Sequence, residues 1–318
     1  MLLARVAEEK FASLYRGGKI IGGVFLGKGQ EAVSVALGLA LQKGDFFAPL
    51  IRDQAGRMAF GEPLIDAART YLGSRLGPMR GRDGNVHRGR PKEGQFAMIS
   101  HLGSMLSVVA GALMAQRFKG IRGCVGATSL GDGATSTGAF HEALNQAAVE
   151  KLPLIVVIAN NQFAYSTPNS RQFACKDLVD RAIGYGIPGW KVDGTRLDQC
   201  LEVISSAVEA ARRGGGPQLV VASLLRLAGH GEHDDAGYVS EQLKNSAVGR
   251  DCLEVASDYL VEELWATDSE LAEWRKEAVR EVEQTIARVQ REPQPNPDDE
   301  EWYALATPQL RDGYFEEV

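Results

Sequence analysis

The chain has 318 residues and a mass of 34.3 kDa, enough for one large core or two modest ones. Hydrophobic residues make up 44% and charged residues 24%, an ordinary globular balance, and no apolar run reaches the roughly eighteen residues a membrane span needs. A net charge of −6 argues against nucleic acid or an anionic membrane as the main partner. The four cysteines (Cys124, Cys175, Cys200, Cys252) are scattered, with neither a Cys-x-x-Cys pair nor zinc spacing, so reduced thiols are expected. Met1 to Lys10 reads as a charged amphipathic helix, without the apolar core of a signal peptide or the acid-poor look of a transit peptide. A cytoplasmic protein is the expectation.

In chain order, apolar residues at helical spacing predict a helix over Leu2–Tyr15, closed by Arg16-Gly17-Gly18. A second helix is predicted over Gln30–Leu41, a short strand over Phe46–Ile51, and a helix over Pro63–Leu72. Residues 73–95, GSRLGPMRGRDGNVHRGRPKEGQ, are rich in glycine and basic side chains; a loop this long is expected to be functional, mobile or both. Helix returns over Ser104–Phe118. A strand near Cys124–Leu130, a helix over Thr137–Glu150 and the apolar run Leu154–Ala159 follow. Next come a helix near Leu178–Tyr185, a strand at Trp190–Val192, a helix over Leu197–Arg212 and a strand over Gln218–Leu225. Strands apolar throughout, alternating with helices, predict an α/β fold: a doubly wound, mostly parallel sheet covered on both faces, with extra N- and C-terminal helices. From about Ser246 only helices are predicted, Cys252–Trp265 and Ser269–Val289. The linker-like REPQPNPDDEE then leads to a tail whose Trp302, Tyr303 and Tyr314 are candidates for docking on a partner. The expected division is an α/β domain over 1–245 and a helical extension over 246–318.

Gly131-Asp132-Gly133-Ala134 falls at the carboxyl end of one predicted strand, just before a helix. Asn160-Asn161 falls at the carboxyl end of the next. Ligands of open parallel sheets collect outside the carboxyl ends of strands, where helix N-termini offer free N–H groups. Asp132, the Asn161 amide and a backbone carbonyl just beyond it form a hard-oxygen set suited to magnesium, which shares its shell with substrate phosphates and water. Gly131 and Gly133 would let a diphosphate approach the main chain. GDG alone reads as a turn; the joint pattern, with a helix and an apolar strand between its halves, points to a site.

The segment GDGATSTGAFHEALNQAAVEKLPLIVVIANN resembles the thiamine diphosphate signature, which opens with GDG and closes with paired asparagines. Its flanks GKGQEAVSVALGLAL, HLGSMLSVVAGALMA, NNQFAYSTP, IPGWKVDG and LLRLAGHGEHDD resemble the alpha subunits of pyruvate and branched-chain 2-oxo acid dehydrogenases, in the same order from about residue 2 to 290. The resemblance implies the thiamine-diphosphate-binding fold, thiamine diphosphate and magnesium as cofactors, and decarboxylation of a 2-oxo acid with transfer of the acyl group to lipoate. It implies Asp132, Asn161 and the carbonyl of Phe163 as metal ligands. Gly133 and Ala134 of the same turn are read as cofactor contacts. Arg52, in LIRD, matches an arginine on the diphosphate, although the family's Tyr-Arg is Ile51-Arg52 here. Ser100 and Leu102 match positions that touch the aminopyrimidine through the backbone.

His230 matches the family's active-site loop histidine and is read as catalytic and cofactor-binding; an imidazole there can donate to a diphosphate or move a proton near neutral pH. His233 is read as loop surface, His101 as pocket lining or packing, His87 as a residue that orders the basic loop, and His141 as helix surface or a subunit contact. Gly231 stands where mammalian relatives carry a phosphorylatable serine, which removes that control and suggests a flexible loop. Phe25 is a candidate substrate contact and tilts the reading toward a larger apolar acid. In the family the glutamate that activates the cofactor lies on the beta subunit; Glu31 in GQEA is read as packing or subunit contact instead. The partners implied are a beta subunit in an α₂β₂ heterotetramer, the lipoyl domain of a dihydrolipoyl acyltransferase and a small 2-oxo acid. Two competitors stand beside this reading: an acetoin dehydrogenase alpha subunit, and a catalytically idle assembly subunit. A doubly wound nucleotide-binding enzyme is disfavoured because no G-x-G-x-x-G follows the first strand and no Walker lysine is present.

Overall fold

Every residue of the strand Leu154–Asn160 is buried, and its side chains divide by the two-residue period of a pleated strand. Ile155 and Val157 join one core with Leu37, Phe47, Ile204 and Val220; Leu154, Val156 and Ile158 join another with Leu106, Phe140, Leu144 and Val221. A strand apolar on both faces has to be covered twice, and that requirement builds the layers. The computed structural model describes residues 1–296 and Asp298. Trp302, Tyr303 and Tyr314, the candidate docking residues, lie outside the described residues.

The elements in order are α1 (Leu2–Arg16), α2 (Glu31–Ala40), β1 (Phe46–Ala48), α3 (Gln54–Ala59), α4 (Leu64–Tyr71), α5 (Ser104–Phe118), β2 (Gly126–Gly131), α6 (Gly138–Val149) and β3 (Leu154–Asn160). They continue with β4 (Phe163–Ala164), β5 (Thr167–Pro168), α7 (Arg181–Tyr185), β6 (Gly189–Asp193), α8 (Leu197–Ala210), β7 (Gln218–Ser223), α9 (Glu241–Lys244), α10 (Cys252–Glu262) and α11 (Asp268–Val289). The sheet runs β1-β2-β3-β7-β6, parallel throughout. Helices α2 and α8 cover one face, α5 and α6 the other, as a doubly wound sheet requires. Strands β4 and β5 form a separate antiparallel hairpin.

Several boundaries differ from the sequence expectations, each for a local reason. The strand predicted to Ile51 ends at Ala48, because Pro49 has no N–H to give and Leu50 N donates to Asp53 Oδ2 (2.7 Å) and Ser129 Oγ (2.8 Å). That turn leads into α3, a short helix the sequence pattern does not announce. The helix expected near 178–185 is a 3₁₀ turn followed by α7, closed by left-handed Gly186. The helix expected to Arg212 gives way after Ala210 to a single π turn. The one expected to Trp265 stops at Glu262, just before Leu264 adopts a positive φ.

Residues 73–95 contain no α-helix or strand, as expected, yet their basic residues work largely as structural pins. Arg88 is 1% exposed; its Nε and Nη2 donate to the Glu62 carboxylate at 2.8 Å each, and Nη2 also reaches Gln54 Oε1 at 2.7 Å. Arg90 pairs with Asp66 (2.8 Å). His87 bonds Asp83 (2.7 Å) and Ser100 Oγ (3.0 Å), so it does tie this loop to the next segment.

The last long helix closes back on the first. Val282, Ile286 and Val289 of α11 share a core with Phe11 of α1 and Leu64 of α4. A capping box starts α11: Thr267 Oγ1 accepts from Glu270 N (3.3 Å), and Glu270 Oε2 accepts from Thr267 N (2.8 Å). Thr267→Ala is therefore expected to lower stability by about 1 kcal/mol. Urea unfolding measures this, and a midpoint equal to that of the unaltered chain would show the cap to be idle. Buried Glu31 pairs with Arg5 and accepts from Gly29 N (2.8 Å) and Cys252 Sγ (3.2 Å), which makes it a packing residue joining α1, α2 and α10.

Candidate active site

The β2–β3 register sets Gly131 opposite Ala159, so the residues that follow, Asp132 and Asn160-Asn161, leave adjacent strand ends together. The two asparagines then separate. Asn160 Oδ1 accepts from Asn169 Nδ2 (2.7 Å) in the 3₁₀ turn that follows β5, while Asn161 turns toward Asp132. Asn161 Oδ1 stands 3.0 Å from the Phe163 carbonyl oxygen and 3.2 Å from Asp132 Oδ1. Exchanging the amide's oxygen and nitrogen turns both contacts into hydrogen bonds, which closes the centre when no ion is present. With the amide oxygen inward, a carboxylate, an amide and a main-chain carbonyl form the hard-oxygen donor set a divalent cation takes. Six oxygens at about 2.1 Å from an octahedral ion lie about 3.0 Å from their neighbours, which these spacings match. Among the described residues no group of three or more His, Cys, Asp or Glu side chains converges, so a soft-metal or zinc site has no candidate.

Asp132 is 1% exposed, and burial raises its carboxyl above the ordinary carboxylate range. Its Oδ2 accepts from Gln172 Nε2 at 2.6 Å. At Gly133 a Cβ would meet the Ala164 methyl at 2.5 Å, so the small residue lets the β4–β5 hairpin close over the turn; at Gly131 the same direction is open.

Beside this centre lies a cavity of about 220 Å³. Phe25, Ser100, His101, Leu102, Ala134 and His230 line it, together with apolar side chains that include Ile51, Met98 and Met105. The fold thus gathers the sequence-predicted residues on both sides of one crevice. Ser100 and Leu102 are exposed in the chain alone, and Ile51 lines the wall where the family's tyrosine would stand. Among the described residues that line the cavity there is no carboxylate.

Arg52 is 4% exposed. Its Nη2 donates to the His230 carbonyl (2.6 Å) and its Nη1 to the Leu26 carbonyl (2.9 Å). Arg226, also 4% exposed, donates from Nε to Ala228 O (3.0 Å) and from Nη2 to Tyr165 O (2.9 Å). Two buried guanidiniums without a full complement of anions make a locally cationic pocket. Burial and the Arg226 charge push Arg52 down to about 9. Burial first, then Arg52 and Arg226, push His230 down to about 4. Both facts favour an incoming anion, as a diphosphate would be.

The His230 ring is wedged between Tyr165 (centroids 4.5 Å) and the edge of Phe25 (5.5 Å). Its loop is densely tied: Asp234 Oδ2 accepts from His230 N (2.6 Å) and from the Tyr238 hydroxyl (2.6 Å), and Glu232 N donates to Val24 O (2.9 Å). Gly231 is buried and its φ is not left-handed; a Cβ there would come within 2.7 Å of the His233 ring and 3.2 Å of Phe25. Its glycine is explained by close approach rather than by backbone freedom. His233 is exposed, His101 lines the cavity, and His141 sits on the helix surface against the Tyr185 hydroxyl.

Sequence reasoning missed Gln30, Gln172, Arg226 and Tyr165. Gln30, Tyr165 and Arg226 lie inside the motifs GKGQEA, NNQFAYSTP and LLRLAGH, and for Arg226 an isolated polar residue in an apolar run was the available signal. Gln172 reaches the site only because the hairpin folds back.

In the free chain His230 is expected to titrate near 4 and to stay neutral across the physiological range. The sign follows from the depressed value: an unfolded histidine at about 6.5 takes its proton first, so the stability tied to this ring is present above that pH and is lost as pH falls through about 4. Arg52→Ala removes a repelling charge and should move the titration upward. Proton NMR of the imidazole checks both; an unchanged midpoint in the variant would remove Arg52 as a cause.

Residues 1–298 match the family described as dehydrogenase E1 component. The alpha subunit of the acetoin:2,6-dichlorophenolindophenol oxidoreductase of Cupriavidus necator is 33% identical over 94% of this chain and 90% of its own. The pyruvate dehydrogenase E1 component subunit alpha of Rhizobium meliloti is 33% identical, over 93% and 85% respectively. The 2-oxoisovalerate dehydrogenase subunit alpha of Bacillus subtilis is 34% identical, over 82% and 80%. Matched along nearly its whole length, the chain belongs to the dehydrogenase E1 component family and aligns with its alpha subunits.

Proposed function

We propose that this chain is the alpha subunit of the first component of a 2-oxo acid dehydrogenase. In this reading it works with a beta subunit in an α₂β₂ assembly and passes an acyl group to the lipoyl domain of an acyltransferase. The observation that carries the reading is the oxygen triad of Asp132, Asn161 and Phe163 set beside the Arg52 and His230 pocket at the mouth of an apolar cavity. Magnesium fits the triad by spacing and by oxygen chemistry. Arg52, Gly133 and Ala134 would hold the diphosphate of thiamine diphosphate, and the backbone at Ser100 and Leu102 would hold its aminopyrimidine. The bound cofactor supplies an electron sink for decarboxylation.

The chain's own residues do the rest. Arg52 holds the His230 loop in place, and the apolar walls keep water from the reacting end of the site. His230, kept neutral, offers a donor and an acceptor at the mouth where an acyl acceptor arrives. A cavity wall without a carboxylate agrees with an activating glutamate supplied by the partner. The site-bearing α/β domain covers 1–245, and from 246 the described residues form its helical extension through Val289. No helix among the described residues is long and apolar enough to cross a membrane, and four free cysteines suit a cytoplasmic location.

Phe25, in T-shaped contact with His230, adds an apolar surface to the cavity wall, which favours a branched or larger 2-oxo acid over pyruvate. The test is dye reduction by the chain reconstituted with its beta subunit, magnesium and thiamine diphosphate. Turnover of 2-oxoisovalerate exceeding that of pyruvate is expected. Activity with acetoin and with none of the 2-oxo acids would overturn the proposal.

A further inference from the structure

A second cavity, of about 420 Å³, lies at the opposite end of the sheet from Asp132. It opens where the chain enters β2 (Gly123, Cys124) and β3 (Lys151, Leu152, Pro153), whereas Asp132 and Asn161 follow the carboxyl ends of those strands. Five cations line it, Arg117, Arg122, Lys151, Arg212 and Arg213, and no carboxylate does. Buried Leu113, Leu152 and Ala211 back it, and Ile121, 50% exposed, adds apolar surface beside the charges. A chain of net charge −6 thus carries one concave patch of the opposite sign.

Folding accounts for part of this charge. Arg212 forks onto buried Asp45, Nη1 to Oδ1 at 2.9 Å and Nη2 to Oδ2 at 2.7 Å, and Nη1 also donates to Gly123 O (2.7 Å). Arg117 pairs with the Glu150 carboxylate and donates to the Glu150 carbonyl (3.0 Å) at the end of α6, and Arg213 pairs with Glu209 (3.3 Å). Arg122 and Lys151 have no ion-pair partner among the described residues, so the cavity keeps uncompensated positive charge. Lys151 is also strained. It takes the left-handed position that ends α6 (φ 49°), where its N–H donates to Ala148 O (3.1 Å) and Leu152 N donates to Ala147 O (3.0 Å). Glycine is usual there. A lysine in that place costs stability with no ion pair to offset it, and strain of this kind persists where a ligand uses the residue.

We propose that this cavity binds a nucleoside di- or triphosphate, with its phosphates on Arg122, Lys151 and the outer guanidiniums of Arg117 and Arg213, and its base on the apolar surface at Ile121. Guanidinium forks match phosphate oxygens two at a time, and a lysine adds a point charge. A concave wall that is part apolar and part cationic suits a small ligand with both characters. The inference is independent of the cofactor reading, because the six residues of β2, about 20 Å, separate the two sites.

The test is calorimetric titration of ATP into the full chain with its beta subunit, with thiamine diphosphate and magnesium saturating so that the cofactor site is filled. One ATP per chain is expected, with an affinity unmoved by further thiamine diphosphate. Inorganic triphosphate should bind about tenfold more weakly, because it has no base to bury. Arg122→Ala should weaken ATP by about tenfold or more, the worth of one charge-assisted bond, at an unchanged thermal midpoint. Lys151→Gly should weaken ATP to a similar extent and yet raise the thermal midpoint by about 1 °C or more, because glycine relieves the left-handed backbone. No binding at millimolar ATP, displacement of ATP by thiamine diphosphate, or normal ATP affinity in both variants would overturn the inference. Triphosphate as tight as ATP, or an oligoglutamate peptide tighter than ATP, would overturn it as well; none of these results touches the assignment of the Asp132 centre.

Discussion

Asp132→Ala is expected to lower the affinity for thiamine diphosphate in the presence of magnesium by about 100-fold or more, while the ligand-free chain keeps its fold. The loss is large because Asp132 supplies the only full negative charge among the three oxygens facing the centre; an amide and a carbonyl would remain against a divalent ion. The fold should survive because little depends on the side chain elsewhere. Gln172 Nε2 retains Thr167 O at 2.9 Å, and Thr135 bonds the Asp132 backbone carbonyl rather than its carboxylate. A buried carboxyl that burial already disfavours in its charged form contributes little to stability. Calorimetry with and without magnesium, next to a thermal scan, separates the two effects. Magnesium-dependent binding of normal strength in the variant would refute the metal assignment.

His230→Ala is expected to act on turnover more than on binding. The ring lines the cavity, wedged between Phe25 and Tyr165, and its low proton affinity presents a neutral imidazole. Removal of a positioned proton donor or acceptor costs about 10²–10⁴-fold in rate where a proton moves in the transition state. Transfer to lipoamide should therefore fall by about 100-fold or more. Thiamine diphosphate affinity should change by less than about tenfold, because the short Arg52 bond to the His230 backbone carbonyl (2.6 Å) survives the substitution and only the longer contact to the ring Nδ1 (3.4 Å) is lost. Lipoamide-dependent rates within twofold of the unaltered enzyme would place His230 outside the chemistry.

The layers were legible in the sequence because their signals are local. The apolar run at Leu154 and the small-residue helix at Ser104 each carry their own period, and alternation of strands with helices leaves few topologies. The centre was legible for a related reason: Asp132 and Asn161 close consecutive parallel strands, so register alone brings them together. Residues whose roles depend on a fold-back were not legible. Gln172 reaches Asp132 across 40 positions because the β4–β5 hairpin turns the chain, and a two-residue strand leaves no periodicity to read. The basic loop illustrates the opposite error. Its composition suggested function, mobility or both, yet Arg88 is buried because Glu62 and Gln54, 26 and 34 residues away, meet its guanidinium. Gly231 suggested freedom, and its reason turned out to be the ring faces packed against it.

The cavity rim of the isolated chain has a thermodynamic corollary. Leu102 is 56% exposed and Ile99 37%, so part of the apolar wall meant for the cofactor faces water until a second chain covers it. In the proposed assembly, cofactor retention and subunit association are then linked equilibria governed by mass action: each tightens the other by the same factor. Dilution of the subunits releases cofactor, excess cofactor holds dilute subunits together, and an affinity for thiamine diphosphate acquires meaning only with the protein concentration at which it was measured.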